Sequence, residues 1–289
     1  MGAGAASVAE GETGSGLDPD LALHRSFIVA LGGFVLEFAG GALVTHERIA
    51  VPSFNYVDLD RLAPDRQTAF FERALDHYFQ RAIRPSFRAR RPVAAHVDRT
   101  LRALGFAPAE EPWVVLRAGA PAAEGAGIPS LQLESVREGE ELAPLWAHAR
   151  EADELRRALE VLLDHPNPGE HLEAWVAREH GTVVGCALAY ERDGGAGIHA
   201  VATQPAARGR GVATAMVRGA LAHLAHRGVQ RTVLLSGVPR LGPRLAPLGF
   251  REVGRLVEYR LPANAALAMP PPGPPQPPRW RPPRRPAGA

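Results

Sequence analysis

Apolar and polar positions along the chain alternate between a period near 3.6 and a period of 2. Ala69, Phe70, Ala74, Leu75 and Tyr78 recur at helical spacing and predict a helix from Arg66 to about Arg81. A helix capped by Asp18 or Asp20 is expected to run to about Leu31. Phe34–Phe38 and Ala42–Ile49 are β-like runs joined by Gly40-Gly41, which reads as a hairpin. Ser53–Leu59 and Ile83–Phe87 read as strands, the latter bounded by Pro85 and Pro92. Val93–Leu104 reads as a helix stopped by Gly105, and Pro112–Arg117 as a closing strand. After residue 130 the same vocabulary returns. Leu131–Val136 is a strand, Glu140–Ala149 and Asp153–Leu163 are helices, and Pro166-Asn167-Pro168-Gly169 is a turn. Leu172–Arg178 and Val183–Arg192 form a hairpin across His180-Gly181. A strand over Gly197–Thr203, a helix from Gly209 to about His226, a strand at Thr232–Ser236, a short helix near Leu241–Leu248 and a last strand at Arg251–Leu261 complete it.

Two α/β units therefore follow one another, and the stretch between them is rich in Gly, Ala and Pro. The expected organisation is a polar N-terminus over 1–17, a first unit over 18–118, a linker over 119–129, a second unit over 130–262 and a tail over 263–289. Residues 270–286 hold ten prolines and four arginines with no acid, a polyproline-type composition. That composition reads first as a solubilising tail of no specific role, with acidic partners, nucleic acid or a proline-reading domain as the alternative. Composition narrows the classes further. Hydrophobic residues make up 46% and charged residues 22% of 289 residues, as in globular proteins, and the net charge is only +2. All 33 basic residues are arginine, so arginine content alone does not argue for nucleic acid. One cysteine, Cys186, excludes an intrachain disulfide. The N-terminal residues lack a basic region and an apolar core, and the run Phe27–Leu36 is too short and too glycine-rich to span a bilayer. No membrane association and a cytoplasmic location are expected; monomer and homodimer are both open.

The chemistry concentrates in Gly197–Ala213, GIHAVATQPAARGRGVA. An apolar strand leads through a turn into a glycine-rich helix start, where unpaired N–H groups and the helix dipole favour phosphate oxygens. A dinucleotide fingerprint fails, because the third small position is Thr214 and the strand after the helix carries no acid through Ser236. A Walker A loop fails for want of any lysine. Arg208-x-x-Gly211-x-Ala213, the lead-in Val201-Ala202-Thr203-Gln204-Pro205 and the late Leu248-Gly249-Phe250 resemble the pyrophosphate loop and flanking elements of the GNAT acetyltransferase superfamily over about residues 129–261. Leu104-Gly105-Phe106 before Trp113–Leu116 echoes the late motif, and the first unit is similar to the degenerate N-terminal domain of two-domain members. The fold class implied is a mixed-sheet α/β protein with tandem GNAT-like folds.

That resemblance implies acetyl-CoA as acyl donor, with no metal. Backbone N–H groups from Arg208, Gly209, Arg210, Gly211, Val212 and Ala213, with the Thr214 hydroxyl, would hold the diphosphate, and the backbone of Val201, Ala202 and Thr203 would pair with the pantetheine arm. The expected reaction is direct attack of a small-molecule or peptide amine on the thioester; nucleic acid is not the expected acceptor. Two family features are missing. The position of the usual tyrosine general acid is Leu245, and Val238-Pro239 stands where an asparagine is often found. Either the thiolate leaves unaided, or another group serves, or activity is weak or lost, and a non-catalytic acyl-CoA-binding module is the alternative. Strict alternation places Gly197, His199, Val201 and Thr203 on one face. His199 is then the candidate base, with an ordinary pKa near ~6.5, or else a packed histidine. Tyr190 and Glu191 are further candidates. His165, His171, His180, His223 and His226 read as solvated polars, and Cys186 as buried packing.

Overall fold

In the computed structural model, the residues described are 19–38, 40–47, 49, 52–59, 62–119, 131–136, 172–238 and 240–262. The N-terminal stretch, the linker, the helices expected over 140–163, the turn at 166–169, His165, His171 and the proline-rich tail lie outside them.

The first half contains α1 (Pro19–Ala30), β1 (Phe34–Phe38), β2 (Gly41–Thr45), β3 (Tyr56–Leu59), α2 (Gln67–Phe79), β4 (Ser86–Arg90), α3 (Ala95–Ala103), β5 (Ala107–Pro108) and β6 (Trp113–Ala118). The second contains β7 (Leu131–Val136), β8 (Leu172–Glu179), β9 (Thr182–Arg192), β10 (Gly195–Thr203), α4 (Val212–His226), β11 (Arg231–Ser236), α5 (Leu241–Leu245) and β12 (Arg251–Arg260). Most expected elements are present with shifted ends. The strand expected at Ile83–Phe87 starts only at Ser86, because Pro85 has no N–H to donate into a ladder. The run Ala42–Ile49 ends as a strand at Thr45; beyond it His46 and Asn55 tie the connection together, with Asn55 Oδ1 accepting from His46 N–H at 2.9 Å.

All strands join one sheet in the order β1-β2-β3-β4-β12-β6-β11-β10-β9-β8-β7, with β5 against β12. The order has an internal symmetry. β3 runs parallel to β4, and β4 is antiparallel to β12. Likewise β10 runs parallel to β11, and β11 is antiparallel to β6. β6 and β12 are antiparallel to each other at the centre. The last strand of each half thus sits beside the other half's parallel pair, and β6, read in sequence as the closing strand of the first half, lies between β11 and β12. Local alternation cannot reveal such an exchange, because a strand buried on both faces satisfies either neighbour.

The two sheet faces are covered differently. Val57 and Phe87 of the first half, with Val257 and Tyr259 of β12, pack with Phe70, Phe71, Ala74 and Tyr78 of α2 and Val97 and Leu101 of α3. In the second, α4 lies across β8, β9 and β10. It buries Val212, Ala215, Met216, Val217, Ala220, Leu221 and Leu224. The opposite face carries α1. There Arg25 donates to Asp58 on β3 at 3.0 Å, and Arg117 on β6 donates to Asp20 at 2.9 Å. Helix α1 therefore ties β3 and β6, and Asp20 also stands 3.7 Å from Arg231 on β11 of the second half.

Candidate active site

Strands β10 and β11 pair through only three positions, Gly195 with Arg231, Ala196 with Thr232 and Gly197 with Val233. Beyond that point each keeps its outer neighbour. β10 continues along β9 to Thr203, and β11 continues along β6 to Ser236. The strands therefore part, and the edge of β10 from Ile198 onward is left without a ladder on the β11 side. A bulge accompanies the parting. Two residues, Ala200 and Val201, stand against Ala187 between the pairs His199–Leu188 and Ala202–Cys186, and Ala200 takes φ +49°. The extra residue re-aims the strand. It also corrects the strict alternation expected over Gly197–Thr203: after the bulge it is Ala202, not Val201, that shares the face of His199.

The gap opens into a cavity of about 200 Å³ lined by Ile198, Ala200 and Val201 from β10, Ala213 and Val217 from α4, Leu234, Leu235 and Ser236 from β11, and Val238, Leu241 and Leu245 beyond it. Ser236 is the one polar side chain among these lining residues, and its Oγ accepts the Val238 N–H at 2.9 Å. Sequence reasoning missed Ser236; its place at the end of the strand following the glycine loop was the available signal.

The glycine loop lies at the end of the gap. Gly209 and Gly211 have φ +78° and +83°, values that side chains with a Cβ rarely adopt. Gly211 is the N-cap of α4, with no side-chain cap and no acidic residue in the first turn. The first helical bond runs from Ala215 N–H to Gly211 O at 2.9 Å, so the N–H groups of Val212, Ala213 and Thr214 precede it. Arg208 Nε donates to Thr203 O at 3.3 Å, and Arg210 pairs with Glu179. Uncapped amides, two nearby guanidinium groups and an adjoining apolar slot fit a ligand with an anionic head and a long, weakly polar arm.

Residues 133–240 match the family model described as acetyltransferase (GNAT) family. An acetyltransferase domain of the GNAT family therefore spans residues 133–240. Members of this superfamily transfer acyl groups from acyl-CoA. Solved structures agree at the level of fold. A GCN5-related N-acetyltransferase from Kribbella flavida is 14% identical with TM-score 0.65, covering 85% of this chain and 96% of its own. A GCN5-related N-acetyltransferase from Sphaerobacter thermophilus is 19% identical with TM-score 0.57, covering 76% and 80%. A tandem GNAT protein from the clavulanic acid biosynthesis pathway is 14% identical with TM-score 0.53, covering 76% and 78%. No curated protein sequence matches the chain.

The proton-handling side of the candidate site departs from the expectation for His199. His199 points to the α1 face, where its ring stacks on Phe27 with centroids 3.8 Å apart and planes within 4°. Its Nε2 is buried with no hydrogen-bond partner among the described residues. Burial pushes its pKa down to about 3, so the ordinary value near 6.5 is not retained. His24 on α1 lies 5.4 Å from it, centroid to centroid. Burial, then the nearby His199, Arg88 and Arg25, hold His24 well below its usual range. Leu245 is buried against the cavity and supplies no proton. Cys186 donates to Ala200 O at 3.7 Å, and burial pushes its thiol up to about 12, which keeps it protonated. Tyr190 packs against Phe27, Glu191 accepts from Arg227 at 2.7 Å, and His223 pairs with Glu173 at 2.9 Å. No helix of the described residues is long and apolar enough to cross a membrane.

Proposed function

We propose that the chain is an acyl-CoA-dependent N-acyltransferase that takes acetyl-CoA and passes its acetyl group to an amine. The observation that carries this reading is the parting of β10 and β11 after Gly197 and Val233, beside an uncapped helix start. The freed edge of β10 offers backbone groups for the amides of the pantetheine arm, and the apolar lining suits its methylenes. The amides from Arg208 to Thr214 would receive the diphosphate, with Arg208 and Arg210 adding charge. Thioester and amine then meet at the bulge, where a backbone N–H of Val201 or Ala202 would bond the carbonyl oxygen as charge develops.

In the transfer a C–N bond forms, the C–S bond breaks with the sulfur leaving as a thiolate, and the amine's proton passes to solvent water. His199 as packed is a neutral ring in the acceptor wall, and a base role would require it to leave Phe27. Ser236 is the hydroxyl within the donor cavity and is the group proposed to meet the leaving sulfur in place of a tyrosine. A non-catalytic acyl-CoA-binding module is favoured by one specific observation, the buried Leu245 at that position. Two measurements separate the readings. Millimolar acetyl-CoA should raise the melting temperature under both. Release of CoA thiol over a panel of amines supports the enzyme, and binding without release over that panel supports the module.

A further inference from the structure

The α1-facing side of the sheet holds a second group of polar side chains, and the donor site uses none of it. Arg88 on β4 is only 1% exposed. Its guanidinium lies 3.7 Å from the centre of the Tyr56 ring and 4.7 Å from that of Trp113. All three of its nitrogens are buried, and none has a hydrogen-bond partner among the described residues. The carboxylate beside it is Glu258, whose Oε1 stands 3.8 Å from Nε, beyond hydrogen-bond reach, and is itself unpartnered. Glu258 is turned to other donors: its Oε2 accepts from Trp113 Nε1 at 2.9 Å and from Arg260 at 2.5 Å. The Tyr56 hydroxyl and both His24 nitrogens are also buried without hydrogen-bond partners among the described residues. On this face five guanidinium groups, Arg25, Arg88, Arg117, Arg231 and Arg260, share three carboxylates, Asp20, Asp58 and Glu258.

A buried guanidinium is normally paired, because its five donors lose water on burial and must be satisfied elsewhere. Here Arg25, Arg117 and Arg260 each hydrogen-bond a carboxylate and Arg231 stands 3.7 Å from Asp20, whereas Arg88 reaches only Glu258 at 3.8 Å and none of its three nitrogens is hydrogen-bonded among the described residues. A planar, fixed fork over an aromatic ring, next to a free hydroxyl donor, is the geometry that takes a carboxylate through two parallel bonds. Glu258 does not fill that role, since its bonds to Trp113 and Arg260 hold it aside.

We propose that Arg88 and Tyr56 form a binding subsite for a small carboxylate, and that this subsite holds the carboxylate end of the acceptor. The first part stands on Arg88 and its surroundings; the second rests on the acyltransferase reading. The link between them is a row of rings. The Tyr56 ring is 6.0 Å from His24, and His24 is 5.4 Å from His199, which is adjacent to the bulged residue Ala200. An acceptor bound at Arg88 would thus extend along this row toward the thioester, which selects amines that also carry a carboxylate, as amino acids do.

The test is calorimetric titration of the full-length protein with acetate, succinate and L-glutamate, and separately with acetyl-CoA. At least one carboxylate is expected to bind the wild type, with at least tenfold loss of affinity in Arg88→Met and partial recovery in Arg88→Lys. Because the Tyr56 hydroxyl has no hydrogen-bond partner among the described residues, Tyr56→Phe should fold as the wild type does and weaken the same carboxylate several-fold. No carboxylate binding, or binding unchanged in both Arg88→Met and Tyr56→Phe, overturns the subsite and leaves buried water as the partner of Arg88. Carboxylate binding in a protein that does not bind acetyl-CoA would keep the subsite and refute the acyltransferase reading. If both bind, a carboxylate-bearing amine should be acetylated with a KM at least tenfold below that of its decarboxylated counterpart, and Arg88→Met should erase the difference; equal KM values in the wild type would refute the acceptor role.

Discussion

His199 lies flat on Phe27, with planes within 4° of each other and centroids 3.8 Å apart, so the one imidazole on the bulged strand is held by α1. Its proton affinity follows from that packing. Both His199 and His24 have folded pKa values below the unfolded value of 6.5, and His199 reaches about 3. Below pH 6.5 the unfolded chain takes up these protons and the folded chain does not, so stability is complete above about pH 6.5 and falls as pH drops from there toward 3. Urea unfolding at pH 7.5 and pH 5 should differ by on the order of 2 kcal/mol from His199 alone, and His199→Phe should remove that share. The same packing means that a pH–rate profile should show no limb near 6.5 belonging to His199.

Gly197 makes that packing possible. A Cβ there would collide with His199 Nε2 and stand 2.9 Å from Cε1. Gly197→Ala should destabilise the protein by about 1–3 kcal/mol through overpacking. In His199→Ala the same change should cost much less. The double-mutant cycle therefore carries a coupling energy of about 1 kcal/mol or more, and additive effects would refute the steric account.

Ser236 and Leu245 divide the donor cavity between polar and apolar roles. Ser236→Ala should lower kcat by about tenfold or more if its hydroxyl serves the leaving sulfur, while acetyl-CoA affinity stays within a few-fold. Leu245→Ala should cost about 2–5 kcal/mol of stability, because it leaves a hole beside an existing cavity. Single-turnover thiol release and thermal unfolding measure the two.

The central pair of strands makes the halves interdependent. β6 pairs with β11 through five positions and also with β12, so a fragment of residues 119–289 lacks the strand between them. That fragment should fail to unfold cooperatively by circular dichroism, whereas the whole chain should show one transition by fluorescence and circular dichroism. Cooperative unfolding of the fragment would contradict this.

Much of the fold was readable because its elements are local. The period-3.6 run around Phe70 and Tyr78 and the hairpin turn at His180-Gly181 carry their own signals, and the glycine loop resembled a GNAT pyrophosphate loop without any structure. Three features were not readable. The bulge at Ala200 depends on tertiary pairing with Ala187, and it reversed the faces assigned to Val201 and Thr203. The central placement of β6 depends on strands more than a hundred residues away. The pKa of His199 depends on Phe27, in a helix that no local rule brings to β10. Arg88 and Ser236 were passed over for the same reason: each is an ordinary residue in its own strand, and only burial or the cavity distinguishes it.

The central claim is that the donor arm lies along the freed edge of β10 and its diphosphate at the start of α4. Amide hydrogen exchange of the full-length chain, with and without saturating acetyl-CoA, tests it most directly. Residues 198–203 and 209–214 should exchange at least tenfold more slowly with ligand, and Gly211→Glu, which sets a carboxylate against the diphosphate, should abolish that protection. Unchanged exchange in both segments at saturating acetyl-CoA, or protection confined to another part of the molecule, would contradict it.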